Sequence, residues 1–197
     1  YLLATASTGG TYYPVGVALS TLVKVKLQPK QKIGMSAINS AGSGENIKLL
    51  RENEVQFAIL QGIYGAYAWN CTGPIESEGP QKNLRSVSML WQNVEHYAVL
   101  KKFDKNGTIS DMVALKGEAM SMGKKNSGTL GSNAVILGNL GVDIEKDYNL
   151  IYVGYGPTAD ALQNGQISGF GIPAGVPASA VTKAMANLGD DMAVLDL

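Results

Sequence analysis

The opening segment of the chain constrains the fold most, because it places a strand, a turn and a helix in direct succession. Residues 2–4 are apolar, residues 7–11 read Ser-Thr-Gly-Gly-Thr, and Pro14 falls in the first turn of a predicted helix, where it costs no hydrogen bond. The apolar positions of this helix recur at helical spacing and predict a buried stripe: Val15, Ala18, Leu19, Leu22 and Val23. Glycines and hydroxyls before a helix favour anion binding, because the backbone N–H groups and the positive end of the helix dipole point outward there.

Three later turns repeat this design. Residues 40–44 lead into a helix for which Ser43 is the predicted N-cap. The other two turns lie at residues 61–62 and 126–129. Strands are predicted at 33–37, 55–60, 86–90, 96–101, 119–122, 150–153, 167–172 and 192–195. Their alternation with helices predicts an α/β fold of parallel sheets, which bind ligands at the carboxyl ends of the strands.

A break near residues 91–95 divides the pattern into two comparable halves. We therefore predict lobe I over residues 1–92, lobe II over residues 93–197, and a hinge strand near 95–101. Since the glycine-rich turns fall in both halves, the sequence predicts a ligand cleft between two lobes that close on their ligand.

The composition excludes several classes of function. Sixteen basic and sixteen acidic residues cancel, and no charge run appears, so nucleic acid is not an expected partner. The single histidine, His96, and the single cysteine, Cys71, argue against a zinc site. No metal and no cofactor are predicted, and His96 is predicted to be structural.

Motifs of common enzyme classes are absent. The chain has neither the phosphate-binding Gly-x-x-x-x-Gly-Lys-Ser/Thr nor the Gly-x-Ser-x-Gly of hydrolases. Gly42-Ser43-Gly44 begins a dinucleotide fingerprint, but Ile47 occupies the position of the third glycine. No catalytic residue is predicted. Two alternatives to a transport protein stay open: the effector-sensing domain of a transcription regulator, and an enzyme on the same two-lobed fold.

The motifs resemble one known family throughout nearly all of the chain. The segments that carry the resemblance are Thr5-Ala6-Ser7-Thr8-Gly9-Gly10-Thr11-Tyr12-Tyr13-Pro14, Ala41-Gly42-Ser43-Gly44-Glu45-Asn46, Asn126-Ser127-Gly128-Thr129, Ala159-Asp160-Ala161-Leu162 and Gly175-Val176-Pro177. In this order they resemble the TAXI-family solute receptors of TRAP transporters. Two positions depart from that pattern: Asn126 stands where the family usually has glycine, and Gly62, followed by Ile63, stands where the residue after Gln61 is often polar or acidic.

The resemblance implies a type II periplasmic-binding-protein fold. It also implies that a small organic acid, such as glutamate, glutamine or a related dicarboxylate, is delivered in the periplasm or another extracytoplasmic compartment to a sodium-driven TRAP permease. Chains of this family continue beyond the position of Leu197 and return to the first lobe. The resemblance therefore predicts that the C-terminal part of lobe I is missing from these 197 residues, and that they bind ligand poorly by themselves.

The turns and the resemblance together predict the ligand-binding residues. They are Ser7, Thr8, Gly9, Gly10, Tyr12, Ser43, Gln61, Asn126, Ser127, Gly128, Thr129, Pro173 and Gly175. We expect backbone N–H groups and the hydroxyls of the turns, including that of Thr129, to hold the ligand carboxylate without an arginine clamp. Arg51 and Arg85 lie outside the turns. Tyr64 and Tyr67 are predicted to be packing residues, and Lys124 and Lys125 to be solvated.

Overall fold

The computed structural model describes residues 1–197 and divides into two compact units. Unit 1 comprises Tyr1–Trp91 and Asn126–Gly128, and unit 2 comprises Gln92–Lys125 and Thr129–Leu197. The short segment Asn126–Gly128 is therefore part of unit 1 although it lies within the sequence of the second half.

Unit 1 is built on a small parallel sheet. Its elements are β1 (Leu2–Ala4), α1 (Tyr12–Lys26), α2 (Gln28–Gln31), β2 (Ser36–Ile38), α3 (Ser43–Arg51), β3 (Phe57–Ala58), α4 (Gly62–Asn70) and a 3-10 helix over Gly73–Glu78. The strand order is β2-β1-β3, with both pairs parallel. A core of Ile47, Tyr64, Ala68 and Ile75 joins α3, α4 and the 3-10 helix.

The buried face of α1 agrees only in part with the predicted stripe. Its buried residues are Gly16 and Ser20, whereas Leu22 of the predicted stripe is 55% exposed. The reason is close approach: a Cβ at Gly16 would lie only 2.4 Å from Cγ2 of Thr5. Gly16 thus brings the helix onto the sheet. Val15, Leu19 and Val23 of the predicted stripe are half-buried, whereas Ala18 and Leu22 are exposed.

Unit 2 contains the larger sheet. Its elements are β4 (Val94–Leu100), β5 (Ala119–Ser121), α5 (Gly128–Gly138), α6 (Ile144–Asp147), β6 (Asn149–Leu150), α7 (Tyr155–Gln163), β7 (Gly169–Ala174), α8 (Ser179–Leu188) and β8 (Met192–Leu195). The first residue of α5 belongs to unit 1 and the rest to unit 2. Short 3-10 helices lie at Lys101–Phe103, Ile109–Leu115 and Gly189–Asp191.

The sheet of unit 2 is mixed, which corrects the prediction of parallel sheets only. Its order is β6-β5-β7-β4-β8; β5 pairs in parallel with β6 and β7, but β4 runs antiparallel to β7 and β8. Helical crossovers impose parallel pairing only on the strands they connect. Because β4 is antiparallel, its first residues lie at the carboxyl end of β7.

Alternate side chains of β4 enter two cores on opposite faces of this sheet. Tyr97 and Val99 belong to a cluster with Met120 and Leu137, whereas Ala98 packs with the helices α7 and α8 on the other face. Fully burying an apolar side chain contributes about 1.5–3 kcal/mol, so both faces stabilise the unit. The strand predicted at residues 86–90 does not form, and Val87 and Met89 are 82% and 83% exposed.

Candidate functional site

The carboxyl ends of the three strands of unit 1 are tied together by a buried asparagine. The Nδ2 of Asn46 donates to the carbonyl oxygen of Thr5 at 2.7 Å and to that of Ile59 at 2.9 Å. Its Oδ1 lies 2.6 Å from the hydroxyl of Ser40. Because these three partners follow β1, β3 and β2, one side chain fixes where all three turns begin.

The turn after β1 precedes α1 as predicted from the sequence. The N–H of Gly10 donates to the carbonyl of Ser7 at 3.0 Å, and α1 begins at Tyr12 without a side-chain cap from Thr11. The ring of Tyr12 packs edge-on against Trp91, with centroids 5.6 Å apart. The residues predicted here, Ser7, Thr8, Gly9, Gly10 and Tyr12, therefore share one turn at the strand end.

Ser43 is not the N-cap of α3, which corrects the sequence prediction. The N-cap is Gly42, whose φ of 123° is a conformation that favours glycine. Ser43 is the first helical residue and is 1% exposed. Its hydroxyl accepts a hydrogen bond from the N–H of Gln61 at 3.0 Å, so it joins the start of α3 to the start of α4.

Segment Asn126–Gly128 lies against these two helix starts. The N–H of Glu45 donates to the carbonyl of Asn126 at 3.1 Å, and the hydroxyl of Tyr64 donates to the carbonyl of Ser127 at 3.1 Å. Tyr64 also packs edge-on against Tyr67, and burial raises its pKa to about 12. Tyr64 is therefore both a packing residue, as predicted, and a support for this segment.

The backbone of Asn126 explains why it can replace a glycine. Its φ is 61°, in the left-handed region that glycine adopts freely and asparagine tolerates better than most residues. The contact that it makes is tight, because a Cβ at Gly44 would lie 2.6 Å from its carbonyl oxygen. Asparagine thus preserves the conformation that the resemblance associates with glycine.

Gln61 and Gly128 meet in the same place. A Cβ at Gly128 would lie 2.3 Å from Oε1 of Gln61 and 2.8 Å from the hydroxyl of Ser43. The Oε1 of Gln61 is buried and has no hydrogen-bond partner. A buried acceptor without a donor costs about 1–3 kcal/mol, which a bound donor would relieve. Five of the predicted residues of unit 1 thus lie together where α3 and α4 begin: Ser43, Gln61, Asn126, Ser127 and Gly128.

The other predicted residues lie on unit 2, where a chain of hydroxyls connects two of them. The hydroxyl of Tyr155 donates to the carbonyl of Pro173 at 2.8 Å and lies 2.6 Å from Oγ1 of Thr129. A tyrosine hydroxyl has one proton, so Thr129 must be the donor to Tyr155. Its proton is therefore not free for a carboxylate, contrary to the expectation for Thr129. Gly175, just beyond β7, is buried.

Sequence reasoning missed Glu95, which lies at the same end of the sheet. It is paired in register with Pro173, and it hydrogen-bonds to Ser132 on α5. Its Oε2 is buried without a partner, and burial raises the pKa of its carboxyl to about 7 despite the bond from Ser132. The available signal was the spacing of Glu95, Tyr97 and Val99, which put a carboxylate on a face that is otherwise apolar.

The basic residues have other contacts. Arg51 pairs with Glu52 and Glu78, and Arg85 donates to the carbonyl oxygens of Lys82 and Leu84. The ammonium of Lys125 lies over the ring of Tyr152, 5.0 Å from its centroid. His96 contacts the carbonyl of Ile172 through Nδ1 at 3.0 Å. These contacts are consistent with structural or surface roles for all four residues.

The donor types for a metal centre are not grouped in this structure. No cluster of three or more histidine, cysteine, aspartate or glutamate side chains is present. None of the helices combines the length and the apolar character needed to span a bilayer.

Comparison with known proteins identifies the fold. The profile of the NMT1-like family matches residues 3–197. The periplasmic aliphatic sulphonate-binding protein SsuA of Escherichia coli superposes with a TM-score of 0.54 at 16% identity, over 99% of this chain and 56% of that one. The binding protein of an ABC phosphonate transporter of Pseudomonas aeruginosa gives 0.58 at 13% identity, over 98% and 63%.

An ancestral arginine-binding protein bound to arginine superposes with a TM-score of 0.60 at 10% identity, over 99% of this chain and 77% of that one. Such identities establish the fold alone. The predicted fold class, the α/β fold of type II periplasmic binding proteins, is confirmed. The chain spans 56% and 63% of the length of the two bacterial transport proteins.

Proposed function

The chain belongs to the NMT1-like family, and from this membership we propose that it is an extracytoplasmic solute-binding protein. It captures a small organic acid, of which glutamate, glutamine and C4–C5 dicarboxylates are the first candidates, and delivers it to a membrane permease of the TRAP type. The ligand is bound and released unchanged.

One observation carries this proposal: polar groups converge at the helix starts of unit 1. Ser43, Gln61 and Asn126–Gly128 meet where α3, α4 and α5 begin. Each helix start contributes about half a positive charge, and each neutral hydrogen bond about 0.5–1.5 kcal/mol. The buried, unpartnered Oε1 of Gln61 adds a place for an N–H or O–H donor of the ligand beside the helix starts, because an ionised carboxylate cannot donate to it.

The proteins of similar fold support a binding role in a general way. They are described as binding aliphatic sulphonate, serving a phosphonate transporter and binding arginine. The choice of a carboxylic acid and of a TRAP permease rests instead on the TAXI resemblance of the turns at residues 5–14, 41–46 and 126–129.

A ligand screen on the full-length protein tests the proposal. Free ligand raises the stability by RT ln(1 + [L]/Kd), about 2.7 kcal/mol at 100 times Kd, so binding is visible as a rise in melting temperature. We expect a rise with at least one of glutamate, glutamine, succinate and glutarate, and recovery of that ligand unchanged. A rise only with a nucleotide, a sugar, a sulphonate or a phosphonate would contradict the proposed ligand class.

Calorimetry with the identified ligand then tests the site. The variant Ser127→Ala removes the hydroxyl that directly precedes α5 and should weaken binding by up to about tenfold, or ~1.4 kcal/mol. Arg85→Gln is the control, because Arg85 contacts only neighbouring carbonyls. Its affinity should stay within a few-fold of the parent, and loss of binding in this variant would reveal a misplaced arginine clamp.

A further inference from the structure

Unit 2 contains polar groups that the proposed carboxylate site does not use. They lie on the face of the sheet that α5 covers: Glu95 and Tyr97 on β4, and Ser132 and Asn133 on α5. Tyr97 and Asn133 are each 0% exposed. Three atoms of this group are buried without a hydrogen-bond partner: Oε2 of Glu95, the hydroxyl of Tyr97 and Oδ1 of Asn133.

These groups adjoin the predicted ligand residues. Glu95 is opposite Pro173 in the β4–β7 pair, and side chains of such pairs share one face about 4.5–5.5 Å apart. The hydroxyl of Ser132 has one proton and two acceptors within reach, the carboxylate of Glu95 and the carbonyl oxygen of Thr129 at 3.2 Å. Thr129 in turn donates to Tyr155, which donates to Pro173. Glu95 therefore belongs to the same edge as Thr129 and Pro173.

A count of protons shows that acceptors exceed donors here. Oε2 of Glu95 and Oδ1 of Asn133 both lack a donor, and the single proton of Tyr97 can serve only one of them. Thr129 has already given its proton to Tyr155, so its oxygen can only accept. The missing component is a group with several N–H donors. A protonated amine has three and also carries the charge that would pair with Glu95.

We propose that Glu95, with the acceptor oxygen of Thr129, forms an amine-binding subsite that makes the protein select ligands carrying a protonated amine. This inference rests on the proposed function and narrows it from organic acids in general to amino acids. A second carboxylate of a dicarboxylate would face Glu95 as a like charge, which discriminates against it.

The alternative is that Glu95 is protonated and its own O–H donates to the ligand. The two possibilities predict opposite changes in the number of bound protons when the ligand binds. Tyr97 on β4 is the titratable side chain whose pKa is coupled to Glu95, and Ser132 on α5 is the hydrogen-bond partner of Glu95. No cation lowers the pKa of Glu95, which burial raises. An ammonium group would therefore drive ionisation and release a proton near pH 7, whereas a neutral carboxyl that donates to a ligand anion would take up a proton.

Calorimetry of the full-length protein with matched ligands tests the subsite. Glutarate is glutamate without the amine, so the pair isolates that group. We expect L-glutamate or L-glutamine to bind at least about tenfold more tightly than glutarate, ~1.4 kcal/mol. Titration in two buffers of different ionisation enthalpy should show proton release with the amino acid. The wild-type comparison needs no variant and is independent of folding effects.

The variant Glu95→Gln keeps the shape and removes the charge. In this variant the affinities for the amino acid and for glutarate should differ by less than about three-fold. The control Glu145→Gln, at an exposed position of the same unit, should leave the wild-type ratio of the two affinities unchanged. Equal affinity of wild type for glutamate and glutarate, or proton uptake on binding, would overturn the subsite while leaving the proposed function intact. Absence of binding by every organic acid and amino acid would instead overturn the proposed function.

Discussion

The side-chain amide of Asn46, on α3, donates to the carbonyl oxygen of Thr5, which follows β1, at 2.7 Å. The two residues are 41 positions apart, and the bond is buried. The same amide reaches Ile59 after β3. A helix side chain thus supplies the donors that the carbonyl groups at two strand ends require, and it sets the geometry of the turns that follow.

Replacing Asn46 by alanine should destabilise unit 1 strongly. The change leaves two buried carbonyl oxygens and the hydroxyl of Ser40 with fewer partners, and each unsatisfied buried group costs about 1–3 kcal/mol. We expect a loss of about 2–4 kcal/mol in the free energy of unfolding, measured with urea. Asn187→Ala, which removes only an exposed bond to Gln163, should cost less than about 0.5 kcal/mol. Similar losses in the two variants would show that the network contributes little.

A methyl group at position 44 should also be destabilising. The Cβ of Gly44→Ala would lie 2.6 Å from the backbone oxygen of Asn126, and a backbone atom cannot move aside cheaply. Overpacking of this kind costs about 1–3 kcal/mol. Gly65→Ala, in α4 with no atom within 4 Å of the new methyl, should instead stabilise by up to about 1 kcal/mol. Thermal unfolding of the two variants should therefore move in opposite directions.

Position 126 should accept glycine but not a β-branched residue. Since φ of Asn126 is 61°, Asn126→Gly should change the stability by less than about 0.5 kcal/mol, whereas Asn126→Val should cost about 1–2 kcal/mol. Asn139→Val, at an exposed position without positive φ, is the control and should be close to neutral. Equal effects of valine at both positions would contradict the role assigned to the left-handed backbone.

The stability should fall as the pH rises toward neutrality. Burial raises the pKa of Glu95 to about 7 from an ordinary value of 4.5, so between these values the folded state binds more protons than the unfolded chain. The stability that this group supports is complete below the unfolded pKa and is lost as the pH rises through the folded one.

We therefore expect the melting temperature to be higher near pH 5 than near pH 8, and Glu95→Gln to reduce this difference. The measurement requires ligand-free protein, since a bound amine would favour the ionised carboxyl. A pH dependence that is identical in the parent and the variant would show that other groups cause it.

The sequence predicted the parts of the fold that local physics controls. The turn at residues 7–11 precedes a helix that begins at Tyr12, and the predicted turn at residues 126–129 leads into α5, which begins at Gly128. The alternation of strands and helices predicted the α/β class, because hydrophobic spacing distinguishes a period of 2 from a period of 3.6 without knowledge of the partner. Family resemblance then supplied the type II fold and the proposed ligand-binding residues, and those residues remain predictions.

Only the tertiary structure decided which groups meet. Residues 86–90 have the alternation of a strand but no neighbour to bond with, since a strand exists only where another backbone supplies hydrogen bonds. The hydroxyl of Ser43 does not cap α3 but accepts a hydrogen bond from the N–H of Gln61. Thr129 donates its proton to Tyr155, and Glu95 is paired with Pro173. Each of these outcomes depends on residues distant in sequence, so the chain specifies the side chains locally, but packing fixes their partners, their burial and hence their charge.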